Sequence, residues 1–389
     1  MREGWSTAKI GDICTLTKGT TPTQKAIPGP YPLVVTAAEF LSSNTYQFEG
    51  EAICVPLVSS TGHGHASLKR VHYASGRFAV ANIITALQSK ADAEVSMRYL
   101  WLLLDHGRDD IIVPLMKGTA NVSLSQNSLA SATVLLPPLD EQRRIVDLIG
   151  SVDDAIEAAE RAEERIAQVS RANSVSLWDA GVEVTISEVG RLVTGATPST
   201  RNEKFWASED VPFVTPADLG WNGTEVPSCK VKRRVSQFAA NSSTRRLDGH
   251  GVLQVCIGAT AGKVGVLEGP MLFNQQINAI SDISQNDARI VAASLSSPQF
   301  QRTLQEVAGT TTMPHISKSS WGSLKLHWPE VGEREEWASR LFALDEAGRR
   351  TRMAVDRLRN LRSNLLTALL SGEHEIPKSY DELREEAAT

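Results

Sequence analysis

The strongest constraint on this chain is that its sequence is written twice, in the same order, so that it must fold as two like units rather than as one undivided domain. Ile13-Cys14-Thr15-Leu16-Thr17-Lys18-Gly19-Thr20-Thr21-Pro22-Thr23 matches Val189-Gly190-Arg191-Leu192-Val193-Thr194-Gly195-Ala196-Thr197-Pro198-Ser199, at an offset of 198 − 22 = 176. Both copies hold Gly and Pro three residues apart. Val34-Val35-Thr36-Ala37-Ala38-Glu39-Phe40 then matches Phe213-Val214-Thr215-Pro216-Ala217-Asp218-Leu219, at 215 − 36 = 179. A third, weaker block sets Val58-Ser59-Ser60-Thr61-Gly62 near Ile257-Gly258-Ala259-Thr260-Ala261-Gly262, each a small-residue loop after an apolar run. The fourth pairs Gly118-Thr119-Ala120-Asn121 with Gly309-Thr310-Thr311-Thr312, then Ser125, Leu129, Pro137 and Glu141 with Ser317, Trp321, Pro329 and Glu333, at 329 − 137 = 192.

A chain of 389 residues is long enough for each copy to bury its own core. Within each copy, short β-branched runs such as Ala52-Ile53-Cys54-Val55-Pro56-Leu57-Val58 and Val252-Leu253-Gln254-Val255-Cys256-Ile257 are divided by Gly, Pro, Asn and Ser. They read as strands in loop-rich globules, interrupted by helices such as the one expected over Ser96-Met97-Arg98-Tyr99-Leu100-Trp101-Leu102-Leu103-Leu104.

Each copy ends in a longer pattern. After Leu136-Pro137-Pro138-Leu139, residues Ile145, Leu148, Val152, Ala155, Ala159, Ala162, Ile166 and Val169 alternate spacings of three and four, as a coiled-coil seam does. The prolines suit a helix entrance, and Asp140 and Glu141 put negative charge where the helix dipole favours it. The second copy carries Trp337, Leu341, Leu344, Val355, Leu358, Leu361, Leu365 and Leu369 and stops at Gly372. Gly348 and Thr351 interrupt that seam, where a kink or loose packing is expected. Helices of about 34 to 40 residues run roughly 50 to 60 Å. Paired antiparallel, they put one globule at each end with pseudo-twofold symmetry, which suits two half-sites on a duplex.

The expected fold is therefore α+β: two loop-rich domains, 1–138 and 179–329, alternating with helical spacers 139–178 and 330–372 that pair as an antiparallel coiled coil, then a tail, 373–389. Hydrophobic residues at 41% and charged residues at 22% fit a soluble protein. No run approaches the ~20 apolar residues of a membrane span. The opening Met1-Arg2-Glu3-Gly4-Trp5 lacks a secretory signal pattern, so the cytoplasm is expected. Cys14, Cys54, Cys229 and Cys256 are too scattered for a zinc or redox motif and read as buried free thiols. A net charge of −5 gives no global pull toward nucleic acid, yet Lys230, Lys232, Arg233, Arg234, Arg245 and Arg246 cluster apart from the acidic Asp153, Asp154, Glu157, Glu160, Glu163 and Glu164. Solvated faces are the alternative for both clusters.

Several segments together resemble the specificity subunits of type I restriction-modification systems. They are Gly195-Ala196-Thr197-Pro198-Ser199, Lys204-Phe205-Trp206, Asp210-Val211-Pro212-Phe213-Val214-Thr215-Pro216-Ala217-Asp218-Leu219, Gly262-Lys263-Val264-Gly265, Asn274-Gln275-Gln276-Ile277, Leu136-Pro137-Pro138-Leu139-Asp140-Glu141-Gln142 and Leu366-Thr367-Ala368-Leu369-Leu370-Ser371-Gly372-Glu373. The likeness spans nearly the whole chain. Gly29-Pro30-Tyr31-Pro32 departs from the family's Trp-containing approach to the Thr block, and Trp328-Pro329-Glu330-Val331-Gly332-Glu333-Arg334 from its Pro-Pro-Leu-x-Glu-Gln entrance.

The resemblance implies two target-recognition domains that each read half of a bipartite double-stranded DNA target. It also implies helices that set the spacing and dock two methyltransferase subunits, with restriction subunits as optional further partners. S-adenosylmethionine, and ATP with Mg²⁺ where a nuclease is present, would be used by those partners and not bound here. The residues agree in offering no Asn-Pro-Pro-aromatic motif. Gly258-Ala259-Thr260-Ala261-Gly262-Lys263-Val264 is one residue too short for a phosphate loop, and Val264 lacks the hydroxyl for Mg²⁺. His63, His65 and His72 have no completing ligand set and read as polar loop histidines, and Ser59 or Ser60 near His63 makes no recognisable nucleophile dyad.

DNA reading requires loop side chains and NH groups that reach bases, with Lys and Arg on phosphates. The expected contacts are the duplicated Gly-Thr loops: Lys18, Gly19, Thr20 and Thr21; Lys117, Thr119 and Asn121; Thr194 and Thr197; Thr310, Thr311 and Thr312. Their glycines are equally read as permitting turns. Ser60, Thr61, His63, Thr260 and Lys263 join them from the third block. Gln275 and Gln276, with Asn278, suit adenine edges, and Lys232, Arg233 and Arg234 suit phosphate or guanine. The competing reading is a two-headed protein-interaction scaffold without DNA readout; a self-contained hydrolase or transferase comes third.

Overall fold

The computed structural model describes residues 4–61, 64–119, 121–309 and 314–382. Packing divides the chain into two units, Met1–Glu157 with Asp356–Thr389, and Ala158–Val355.

In the first unit a four-stranded antiparallel sheet runs in the order Cys14–Lys18, Ile84–Ser89, Ala52–Pro56, His72–Ala74. A second sheet runs Leu41–Ser43, Tyr31–Val34, Arg77–Val80, Phe48–Glu49, with Leu33 and Val34 parallel to Ala79 and Val80. Every residue of Ala52–Pro56 is buried, because the strand is covered on both faces. Its side chains alternate. Ile53 and Val55 join Leu87, Tyr99 and Leu100 in the core under helix Met97–His106, while the smaller Ala52 and Cys54 face Leu33, Val34 and Phe78 of the second sheet. The expected helix at Ser96 is present, with the Ser96 side chain accepting from the Tyr99 NH.

The second unit repeats this plan. Arg191–Thr194, Ile277–Ser281, His250–Val255 and Val264–Glu268 form the first sheet, and Arg234–Val235, Val211–Val214, Met271–Phe273 and Arg246–Leu247 the second. Val252 faces the core under helix Gln285–Leu295, while Leu253 and Val255 face Val214 and Phe273. The closing strand pairs, Ser6↔Leu136 and Val182↔Trp328, stand at offsets of 182 − 6 = 176 and 328 − 136 = 192, the two values that bracket the sequence repeat. The third block holds as well, since Val58 bridges Ser123 and Ile257 bridges His315. The second block shifts by one residue. Val34 accepts from the Ala81 NH and Val214 from the Asn274 NH, giving 214 − 34 = 180, because backbone pairing and not the shared threonine sets the register.

The long helices span Leu139–Ala180, 42 residues, and Arg334–Leu370, 37 residues, roughly 63 and 55 Å. Gln142 at the first entrance is fully buried; it donates to Pro137 O (2.9 Å) and Glu94 O (3.2 Å) and accepts from Ser96 N (2.8 Å). The second entrance solves the same problem differently. Arg334 donates to Pro329 O at 3.1 Å and lays its guanidinium over Trp328, 4.9 Å from the ring centre.

The two helices pair antiparallel within each unit. In the first, Ile145 and Ile149 share a core with Leu366, Leu369 and Leu370, and Asp153 meets Arg362. In the second, Glu163 lies 3.8 Å from Arg352 and Ile166 faces Gly348. The seam differs in part from expectation: Ile149 rather than Leu148 is fully covered, and Val169 and Leu361 are 48% and 46% exposed. These helices also pack on the sheets of their own units, as Ile149 and Leu177 do, so the buried stripe is not a pure coiled-coil seam. Gly348 does not break the second helix, and Gly372 at φ +76° follows its end.

Cys14, Cys54 and Cys256 are buried free thiols, pushed up to about 12 by burial, but Cys229 is exposed on a short 3₁₀ turn. His72 is a strand residue and not a loop one; burial first, then Arg70, lowers its pKa. Among the described residues no helix is long and apolar enough to cross a membrane, and no group of three metal-ligating side chains converges.

Candidate nucleic-acid interface

The duplicated loops of the first unit converge at one end of its first sheet. Gly19 N donates to Ile84 O (2.9 Å), Thr21 N to Val80 O (3.2 Å), and Asn82 N to Thr21 O (3.1 Å). Leu57 N donates to Ile83 O (2.8 Å), Ser59 N to Val122 O (3.1 Å), and Lys117 and Ser123 exchange both backbone bonds. Lys18, Thr20, Ser60, Thr61, Lys117, Thr119 and Asn121 are all exposed there. The hydroxyls of Ser60 and Thr61 brace their own loop, Ser60 accepting from Lys69 N at 3.0 Å and Thr61 bonding Ser67 at 2.8 Å. His63 lies outside the described residues.

The equivalent end of the second unit gathers Thr194, Thr197, Thr260, Lys263, Gln275 and Gln276. Gly195 N donates to Ile277 O (3.0 Å), Cys256 N to Gln276 O (2.7 Å), and Gly258 N to Pro314 O (2.9 Å). Thr310, Thr311 and Thr312 fall outside the described residues, beside Gly309 at φ +74°. The Gly258–Lys263 stretch is a turn between two strands, with Val264 opening a strand where a phosphate loop needs a helix.

Glycine at 19 and 195 serves close approach rather than a left-handed turn. A Cβ on Gly19 would lie 2.3 Å from Ala81 O and 2.4 Å from Val80 O; on Gly195, 2.2 Å from Asn274 O and 2.3 Å from Phe273 O. Each loop is thus pressed onto the backbone that leaves its second sheet.

Several side chains are occupied within the fold. Asn278 is buried and accepts from Thr194 Oγ1 at 2.7 Å. Gln276 donates to Ile257 O (3.3 Å) and accepts from Asn274 Nδ2 (2.9 Å). Lys263 Nζ reaches Pro216 O at 3.4 Å. The basic triplet borders the second sheet, with Lys232 N donating to Asp218 Oδ1 at 3.4 Å. Arg234 is spent on the carbonyls of Glu209 (2.9 Å), Asp210 (2.9 Å) and Ser228 (3.4 Å), and Arg233 stands over Trp206, 5.0 Å from the ring centre. The hydroxyl of Ser208 and the NH of Gln237 hold the neighbouring Asp210 carboxyl below its usual range. Lys232 is exposed, and its ammonium makes no hydrogen bond or ion pair among the described residues.

Two residues at these sheet ends, the half-buried Gln47 and the exposed Asn82, carry no motif of their own. Gln47 clamps the first Gly-Thr loop, accepting from Thr20 N (3.0 Å) and donating to Lys18 O (3.0 Å). Asn82 sits beside Thr21. Extending the repeat alignment to Ala81-Asn82-Ile83-Ile84 against Asn274-Gln275-Gln276-Ile277 identifies Asn82; nothing in the sequence marks Gln47.

The fold and its loops define a class: a tandem protein in which each copy presents a loop-bearing sheet end and is tied to a paired long helix. The type I restriction modification DNA specificity domain matches residues 2–168 and again 180–352, so the chain belongs to that family. Curated relatives include the type I restriction enzyme HindI specificity subunit of Haemophilus influenzae, 26% identical over 48% of this chain and 40% of its own length. The MjaIX specificity subunit of Methanocaldococcus jannaschii is 22% identical over 43% of this chain and 38% of its own length. The chain thus spans about two fifths of the length of these relatives. A solved type I restriction-modification S subunit from M. genitalium shares the fold at a TM-score of 0.62, with 15% identity over 94% of this chain and 96% of that one. A second structure, from work on assembly and conformational transition of the type I system, gives 0.53 with 14% identity over 95% and 98%.

Proposed function

We propose that this chain is the DNA-specificity subunit of a type I restriction-modification complex, each recognition domain reading one half of a bipartite target. The observation that carries the reading is that the DNA specificity domain matches twice, once per repeat, and that each repeat has its own converged set of loops. In this reading residues 1–138 and 179–329 are the recognition domains, 139–178 and 330–372 the helices that set the spacing and dock two methyltransferase subunits, and 373–389 a tail. The chain itself is non-catalytic and cytoplasmic. Adenine methylation with S-adenosylmethionine, and ATP- and Mg²⁺-driven cleavage where restriction subunits join, belong to the partners.

The test is to co-express the chain with its methyltransferase partner and map methylated adenines across the host genome by single-molecule sequencing. A two-part motif with an unread spacer is expected. A copurifying, active partner that leaves no motif removes the recognition role. Failure of any partner to copurify, with no methylation, favours a protein-interaction scaffold.

A further inference from the structure

The two sheet ends share one more feature. Gln275 follows the strand Met271–Phe273 and is exposed; Thr197 of the Gly-Ala-Thr-Pro loop donates its hydroxyl to Gln275 Oε1 at 2.6 Å. Asn82 follows the strand Arg77–Val80, is exposed, and adjoins Thr21 of the Gly-Thr-Thr-Pro loop through the Asn82 N to Thr21 O bond of 3.1 Å. The register makes them equivalent. Gly19 bonds Ile84 and Gly195 bonds Ile277, an offset of 277 − 84 = 193, and 275 − 82 is also 193. Thr197 and Thr21 differ by 197 − 21 = 176, the offset of the loop itself.

We propose that Asn82 and Gln275 are the paired specificity-determining residues of the two recognition domains, each carboxamide reading one base pair in its own half-site. This inference rests on the DNA-reading function proposed above. The carboxamide is the side chain suited to base edges, since it offers donors and an acceptor on one short arm. Its neighbours are excluded on geometry: Gln276 and Asn278 are bonded inside the fold, whereas the Asn82 amide has no hydrogen bond among the described residues. Thr197 occupies one lone pair of Gln275 Oε1 while the NH₂ group makes no hydrogen bond among the described residues, so the geometry favours Gln275 as a donor to a base acceptor such as purine N7 or guanine O6. Asn82 keeps both atoms, and its domain has the adenine-type contact open to it.

The experiment begins with the wild-type chain co-expressed with the methyltransferase subunit and its genomic methylation motif; absence of a motif removes the underlying reading. With the motif in hand, Gln275→Ala and Asn82→Ala are mapped in the same way. Each is expected to relax one base pair by roughly 10- to 100-fold, in opposite halves, with the other half and the spacer length unchanged. Retention of the full motif by both variants, or loosening of both halves by either one, overturns the pairing. Gln275→Met, which keeps length but has no polar atoms, separates lost reading from lost folding when the alanine variant copurifies poorly. Thr197→Val frees Gln275 Oε1 and is expected to broaden the base accepted at the Gln275 position; an unchanged preference overturns the donor assignment.

Discussion

Arg362 grips Asp153 with two parallel hydrogen bonds, one from Nε and one from Nη2 at 3.1 Å, joining the second long helix to the first inside one unit. Bidentate geometry and partial burial set it apart from an exposed pair. A double-mutant cycle of Asp153→Ala and Arg362→Ala, read by chemical unfolding, is expected to give a coupling of about 1 kcal/mol that shrinks at high salt. A coupling near zero at low salt removes the pair from the helix–helix register.

Gly19→Ala and Gly195→Ala are expected to be costly in equivalent ways, because the added carbon in each collides with carbonyl oxygens of backbone that has no side-chain freedom to yield. Overpacking of this kind costs about 1 to 3 kcal/mol. Thermal unfolding of the two variants checks it, and tolerance of alanine at either position shows that the loop does not need its close approach.

How much of this was legible follows from which forces act locally. The repeat, its offsets of 176 and 192 and the helix entrance at Pro137 are carried by short motifs, and the strands confirm them. The one-residue shift of the Val34 and Val214 block was hidden because matched threonines mimic a register that backbone hydrogen bonds set elsewhere. The seam was read only in part, since Val169 satisfies the heptad spacing yet faces solvent where the stripe turns toward the domain core. At the second entrance, Arg334 takes the place of Gln142 by a different chemistry, a guanidinium on Pro329 O and the Trp328 ring, which no identity match detects. The triplet Lys232-Arg233-Arg234 reads as one basic patch, but only Arg234 opens the short strand Arg234–Val235, where it bonds the carbonyls of Glu209 and Asp210, while Arg233 lies over the Trp206 ring.

Gly348 presents the opposite case to Gly19. A Cβ there would sit 3.6 Å from Ile166 Cγ2, an ordinary contact, and the helix runs through the position unbroken. Gly348→Ala is expected to stabilise the chain by up to about 1 kcal/mol through helix propensity. A raised denaturation midpoint with an unchanged m-value checks it; a lowered midpoint shows that the helices pack more closely there than the contact indicates.

Asp345 is held above the usual carboxylate range, first by burial and also by the nearby Glu225 carboxylate, against the opposing Glu225 NH, Arg352 and Arg289. The folded state therefore binds the proton more tightly than the unfolded chain does. Stability from this group is greatest at acid pH and falls as pH rises from the ordinary aspartate value of 3.8 through the raised folded value, leaving the full penalty at neutrality. Asp345→Asn keeps an oxygen to accept from Glu225 N, now 3.2 Å from Oδ2, and carries no charge. It is expected to be more stable than the wild type at pH 7 by a margin that narrows as pH is lowered. Unfolding midpoints across that range decide it, and a margin that grows toward acid pH shows that Arg289 and Arg352 outweigh burial at this carboxylate.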